Sequence, residues 1–148
     1  MPALHNLFPI RIYYEDTDAG GVVYYANYLK FFERARTEWL RALGVEQRSL
    51  QADTGAIFVV AEANIRYLLP ARLDDLLTVS VRMVERGQAS LQLAQQVWRG
   101  DTLLVEGHFR IGCVDAATLR PRRIPAQIST TLRAKSDCSP REVSAGSY

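Results

Sequence analysis

Apolar and polar positions change period along this chain, and each period predicts an element. From about Asn27 to Leu43, Tyr28, Phe32, Ala35, Trp39 and Ala42 recur at helical spacing, flanked by Leu29, Phe31, Leu40 and Leu43. Arg34, Arg36, Glu38 and Arg41 mostly fall off that stripe. This is the signature of one long amphipathic helix with a broad apolar face. Asn27 can cap its first turn, because a short side-chain oxygen accepts from free N–H groups there. Gly44 suits the exit.

Elsewhere the period is two. Phe8 to Tyr14 forms a first candidate strand. After a polar link, Ile57, Val59, Ala61, Ala63, Ile65 and Tyr67 recur at period two, alternating with Glu62, Asn64 and Arg66 in the middle of the run, and Pro70 stops it. Leu77 to Met83, Leu91 to Val97 and Leu103 to Cys113 repeat the theme. Each reads as a strand with one face inward. Gly87-Gln88 and Gly100-Asp101 fit tight hairpins between antiparallel neighbours. The order strand, helix, then four strands predicts an α+β domain, an antiparallel sheet of about five strands curled over one long helix. That domain is expected to span residues 1–132. Residues 133–148, rich in Ser, Lys, Arg and Gly without apolar periodicity, read as a flexible tail.

Composition narrows the function more than the fold. Apolar residues make up 48% and charged residues 23% of the 148, the balance of a soluble domain. No apolar run is long enough to span a bilayer, and no signal peptide is visible at the N-terminus, so a cytoplasmic protein is expected. A net charge of +2 with dispersed basic residues gives no nucleic-acid footprint. The cysteines, Cys113 and Cys138, are far apart, which argues against a disulfide scaffold or zinc site. With only His5 and His108, no Ser-His-Asp triad or histidine cluster can be assembled. No metal and no cofactor are expected.

Chemistry concentrates between Tyr14 and Tyr28. There Glu15, Asp16 and Asp18 precede Gly20 and Gly21, and a helix start follows. A carboxylate near unpaired helix-entrance amides can attack a carbonyl or activate water, while an N–H holds the oxyanion. Taken alone, such acids also describe a solvated turn closed by an aspartate.

Tyr14, Asp16, Asp18, Gly21, Val22, Val23, Tyr24, Asn27, Tyr28, Phe32, Glu33 and Arg36 together resemble the signature of the hotdog-fold 4-hydroxybenzoyl-CoA thioesterase family. Within it they are most similar to the Tol-Pal-associated acyl-CoA thioesterases, the YbgC-like branch. Similarity continues through Ile65 to Ala71 and Arg120 to Pro125, covering nearly all of the chain but the tail. The resemblance implies a hotdog fold and hydrolysis of an acyl-CoA, with acyl carrier protein as an alternative thiol carrier. It also implies a homodimer or homotetramer with active sites at subunit interfaces. Asp18 matches the essential carboxylate, as nucleophile or general base. Tyr25 matches the position whose backbone N–H polarises the thioester carbonyl; many relatives carry histidine there. Asp16, Gly21, Tyr24 and Glu33 fall among the expected substrate-binding residues, with Asp16 also able simply to order the loop. Arg122 and Arg123, and Arg86 with Ser90 across a hairpin, are candidates for the CoA moiety, since Arg matches phosphate oxygens bidentately. The non-catalytic alternative is an acyl-CoA sensor or adaptor in envelope or phospholipid assembly.

Overall fold

A computed structural model of the chain describes residues 7–138, with side chains through residue 132. The elements are β1 (Leu7–Arg11), α1 (Asn27–Ala42), α2 (Gln47–Thr54), β2 (Ala56–Tyr67), β3 (Leu76–Ser80), β4 (Arg82–Arg86), β5 (Ser90–Arg99), β6 (Thr102–Asp115) and α3 (Ala126–Cys138). A 3-10 turn at Tyr14–Asp16 separates β1 from the loop that leads to α1.

One sheet organises the chain, in the order β1-β3-β5-β6-β2, with β4 also pairing β5. Every ladder is antiparallel. The expected third strand is two: β3 and β4 follow each other along β5 and are separated at Val81, so the sheet has six strands. The bend lets one stretch of chain follow a curled neighbour.

The inner face of the sheet closes on α1. Phe31 and Phe32 are fully buried, and the Phe32 ring lies 5.0 Å from that of Phe109 on β6. Leu77 and Val79 on β3, and Leu91, Leu93 and Val97 on β5, complete this core. Burying each large apolar side chain contributes about 1.5–3 kcal/mol. Gly44 takes φ +88° just past α1, a left-handed exit that glycine adopts without a Cβ penalty.

Several expectations change. β1 ends at Arg11 because the Asp16 carboxylate accepts from Tyr13 N–H at 2.9 Å and turns the chain there. Asn27 does not cap α1: it is the first helical residue, and its Nδ2 donates to the Asp16 carbonyl at 2.9 Å. The polar link holds α2, anchored by buried Leu50. Arg36, placed off the apolar stripe, is 9% exposed. Helix α3 crosses the expected boundary at residue 132, with Ile128 and Leu132 in the core. Residues 139–148 and His5 lie outside the described residues.

The sheet's two edges differ. β1 is short and carries Pro9. β2 is twelve residues long, pairs among the described strands with β6 alone, and is exposed from Val59 through Asn64. A long, partly apolar open edge is a ready template for another strand.

Candidate active site

The loop between the 3-10 turn and α1 folds as a small hairpin. Asp18 N–H donates to the Val22 carbonyl at 2.9 Å, and Thr17 bridges to Val23. Gly21 sits at φ +79°, where a side chain is strained. The hairpin is held from two sides. Tyr24 N–H and Asn27 Nδ2 both reach the Asp16 carbonyl, at 3.1 and 2.9 Å. Val23 N–H donates to the Ala71 carbonyl at 2.8 Å, and Val22 bridges to Arg72.

Asp18 lies at the exposed tip. Its Oδ1 accepts from Gly20 N–H at 2.8 Å and, more weakly, from Val22 N–H at 3.4 Å. Among the described residues its Oδ2 has no hydrogen-bond partner and the carboxylate forms no ion pair. One oxygen orients the group while the other stays available. Asp16 is the opposite case: it is 8% exposed, and its oxygens brace Tyr13, Tyr24 and Asn27. It orders the loop.

The entrance of α1 carries no side-chain cap and no acidic residue in its first turn. Among the described residues Tyr25 N–H donates no hydrogen bond, whereas its carbonyl accepts from Tyr28 N–H at 3.3 Å and from Tyr67 Oη at 3.2 Å. An uncapped helix start with a free amide carries partial positive charge and suits an oxyanion.

Tyr67 went unassigned in the sequence although Ile65 to Ala71 carries the family resemblance; the structure shows what that stretch touches. Tyr67 packs on Tyr25 and Tyr28, with ring centroids 6.2 and 5.6 Å away. Ala71 N–H donates to Tyr28 Oη at 3.0 Å, so the stretch ties α1 to the Asp18 hairpin. Burial raises the phenol pKa of Tyr28 and of Tyr67, and hydrogen bonding with Tyr25 raises that of Tyr24. These phenols stay neutral at pH 7. Tyr24 and Tyr25 are 47% and 61% exposed, and their ring centroids lie 4.8 Å apart at the entrance of α1.

The remaining candidates gather at the other end of the sheet. Ser90 pairs with Gly112, Arg86 with Leu91, and Ala56 with Asp115, while Arg122 N–H donates to the Cys113 carbonyl. Arg123 follows Arg122 on the exposed surface. By register Arg86, Ser90 and Arg122 stand level with Val60, Val59 and Phe58, well along β2 from Tyr67, roughly 23–30 Å at ~3.3 Å per residue. Arg122 also has structural work: its Nη1 donates to the Thr54 carbonyl at 2.6 Å and lies 3.7 Å from Asp115. One protomer therefore does not bring the arginine candidates to Asp18.

Glu33 borders two cavities. A cleft of about 740 Å³ between β1 and α1 is lined by Phe8, Ile10, Tyr13, Asp16, Glu33 and Thr37, among others, but not by Asp18 or Tyr25. A smaller pocket of about 90 Å³ lies on the β2 side of α1. The larger cleft lacks both the available carboxylate oxygen and the free amide, so the loop chemistry locates the site better than volume does. His108 is exposed on β6, as expected, and Cys113 is a buried core thiol whose pKa burial raises. Among the described residues no group of His, Cys, Asp and Glu side chains is arranged to hold a metal ion, and no helix is long and apolar enough to cross a membrane.

The family model of the thioesterase superfamily matches residues 20–106, more than half of the chain. The chain belongs to the thioesterase superfamily. It is 44% identical over 125 residues to the acyl-CoA thioesterase YbgC of Haemophilus influenzae, covering 84% of this chain and 92% of that one. It is 32% identical to the 1,4-dihydroxy-2-naphthoyl-CoA hydrolase of Thermosynechococcus vestitus, covering 94% and 97% of the two chains. A crystal structure of a probable thioesterase from Bartonella henselae superposes with a TM-score of 0.77 at 36% identity, over 80% of this chain and 98% of that one. The fold is the hotdog: an antiparallel sheet wrapped around α1, in a thioester hydrolase.

Proposed function

We propose that this thioesterase hydrolyses acyl-CoA in the cytoplasm, with Asp18 as its reacting carboxylate and Tyr25 N–H as the oxyanion donor. The observations that carry the reading are an oriented carboxylate, without an ion pair among the described residues, and an uncapped helix entrance that follows it in the chain. The thioester oxygen accepts from Tyr25 N–H, which stabilises the charge that builds on it; one such donor is worth about 10²–10³ in rate. Asp18 then attacks the carbonyl carbon, expelling CoA thiolate and leaving a mixed anhydride that water opens. Alternatively, it takes a proton from water that attacks directly. Single-turnover hydrolysis in ¹⁸O-water separates the routes, because opening of the anhydride at the aspartyl carbonyl places label in Asp18.

Two copies complete the site in this reading. Antiparallel pairing of β2 with a second β2 covers the exposed edge and sets the Ala56 end of one copy beside the Tyr67 end of the other. The Arg86, Ser90, Arg122 and Arg123 end of one copy then faces the Asp18 loop of its mate. The homodimer is thus the working unit, and a homotetramer pairs two of them. The carrier is CoA rather than acyl carrier protein because compact arginines, able to grip phosphates, sit at that end.

The deciding experiment follows free thiol release from acyl-CoA esters of varied length by wild type and by Asp18→Asn. Loss of turnover with retained folding and ligand binding supports the reading. Equal turnover removes Asp18 from it. Binding without turnover in the wild type, across the whole panel, favours the sensor or adaptor in envelope or phospholipid assembly over the Tol-Pal-associated thioesterase.

A further inference from the structure

Arg36 stands apart among the basic side chains. It is 9% exposed, its Nη1 donates to Gln95 Oε1 at 2.9 Å, and its guanidinium lies 4.6 Å from the centroid of Phe109. Gln95, fully buried, donates in turn to the carbonyls of Phe32 and Ser80 at 3.1 and 3.3 Å. These contacts orient the guanidinium without neutralising it: among the described residues it forms no salt bridge. Burial lowers its pKa to about 10, against a smaller opposing pull from Glu33. A guanidinium has five N–H donors, and a buried charge normally finds a partner.

The pocket of about 90 Å³ on this side of α1 is lined by Glu33, Arg36, Phe58, Val60 and Leu93, among others. We infer that this pocket receives the far end of the acyl group, and that Arg36 with Glu33 selects a short acyl chain ending in a neutral hydroxyl. The inference rests on the thioesterase reading above. Its volume equals about three water molecules at ~30 Å³ each, room for a few heavy atoms. Its apolar walls suit methylenes. A hydroxyl can accept from Arg36 and donate to Glu33; a methyl adds no acceptor to the one that Gln95 supplies, and a carboxylate meets the charge of Glu33. Phe58 to Val60 of β2 border the pocket, on the strand along which the proposed second copy would bring its Asp18 loop.

The test compares kcat/KM for 4-hydroxybutyryl-CoA, pentanoyl-CoA (methyl in place of hydroxyl) and succinyl-CoA. The expected wild-type preference for the hydroxyl over the methyl is about tenfold or more, since a site built for a hydroxyl rejects the analogue lacking it. Arg36→Met should collapse that ratio toward one. Glu33→Gln, at an exposed position, should lower it too, and it carries the test if the Arg36 variant does not fold. A wild-type ratio near one, a preference for succinyl-CoA, or variants that lower both substrates equally would overturn the subsite. Those results leave the thioesterase reading standing, whereas absence of turnover on every thioester would overturn that reading itself.

Discussion

The two ends of β2 use polar groups differently. At the Tyr67 end, among the described residues, Asp18 keeps an oxygen and Tyr25 an amide without a hydrogen-bond partner, and Tyr24, Tyr25 and Tyr67 remain exposed. At the Ala56 end the polar groups are engaged with one another. Arg122 holds the Thr54 carbonyl, and Asp115 accepts from Ala117 and Thr118 N–H groups at 2.9 and 3.1 Å. Those amides, more than Arg122, pull the Asp115 pKa below its ordinary value. In the proposed reading the first end reacts, whereas the contacts at the second hold shape. In the proposed two-copy arrangement, pairing along β2 joins the two ends.

The largest expected effect lies at the reactive end. Asp18→Asn should lower kcat by about 10²–10⁴, with melting temperature nearly unchanged because the amide oxygen still accepts from Gly20 N–H. Val60→Lys comes next. It places a charge on an edge residue that is 49% exposed, and should shift the protein to monomer and lower activity more than tenfold while preserving helicity. Sedimentation and circular dichroism read both outcomes; a fully active monomer would break the two-copy argument.

Arg122→Ala tests the shape-holding end. It leaves the Thr54 carbonyl without its donor and should cost about 1–3 kcal/mol in denaturant unfolding. If Arg122 also meets CoA, KM rises for the CoA ester but not for the corresponding pantetheine ester. The smallest effect belongs to Tyr67→Phe, which removes one hydrogen bond to the Tyr25 carbonyl. It should lower kcat by about two- to tenfold, corresponding to ~0.5–1.5 kcal/mol, with KM little changed.

Much of this was legible in the sequence. Period-two runs located β2, β5 and β6, and the helical stripe located α1 within a residue or two. The loop with Asp18 and Gly21 was recognisable because its residue types are rare in that order. What escaped were roles set by distant partners. Gln95 occupies an inward position between Leu93 and Val97, where alternation predicts an apolar residue; only its partners Arg36, Phe32 and Ser80 account for it. Tyr67 read as the last residue of a strand, although it closes on Tyr25, 42 positions earlier. α2 was missed because it is short and mostly polar, with a single buried residue, Leu50.

By itself the sequence determined most of the elements, the candidate loop and the family, because local periodicity and a contiguous motif need no knowledge of what lies across the fold. The tertiary structure decided which groups are engaged and which are free. It left Asp18 Oδ2 and the Tyr25 amide available, tied up Arg122, and buried Arg36 beside a small pocket. Those outcomes depend on hydrogen-bond partners many residues away. A chain specifies such pairings only once the sheet has curled around its helix.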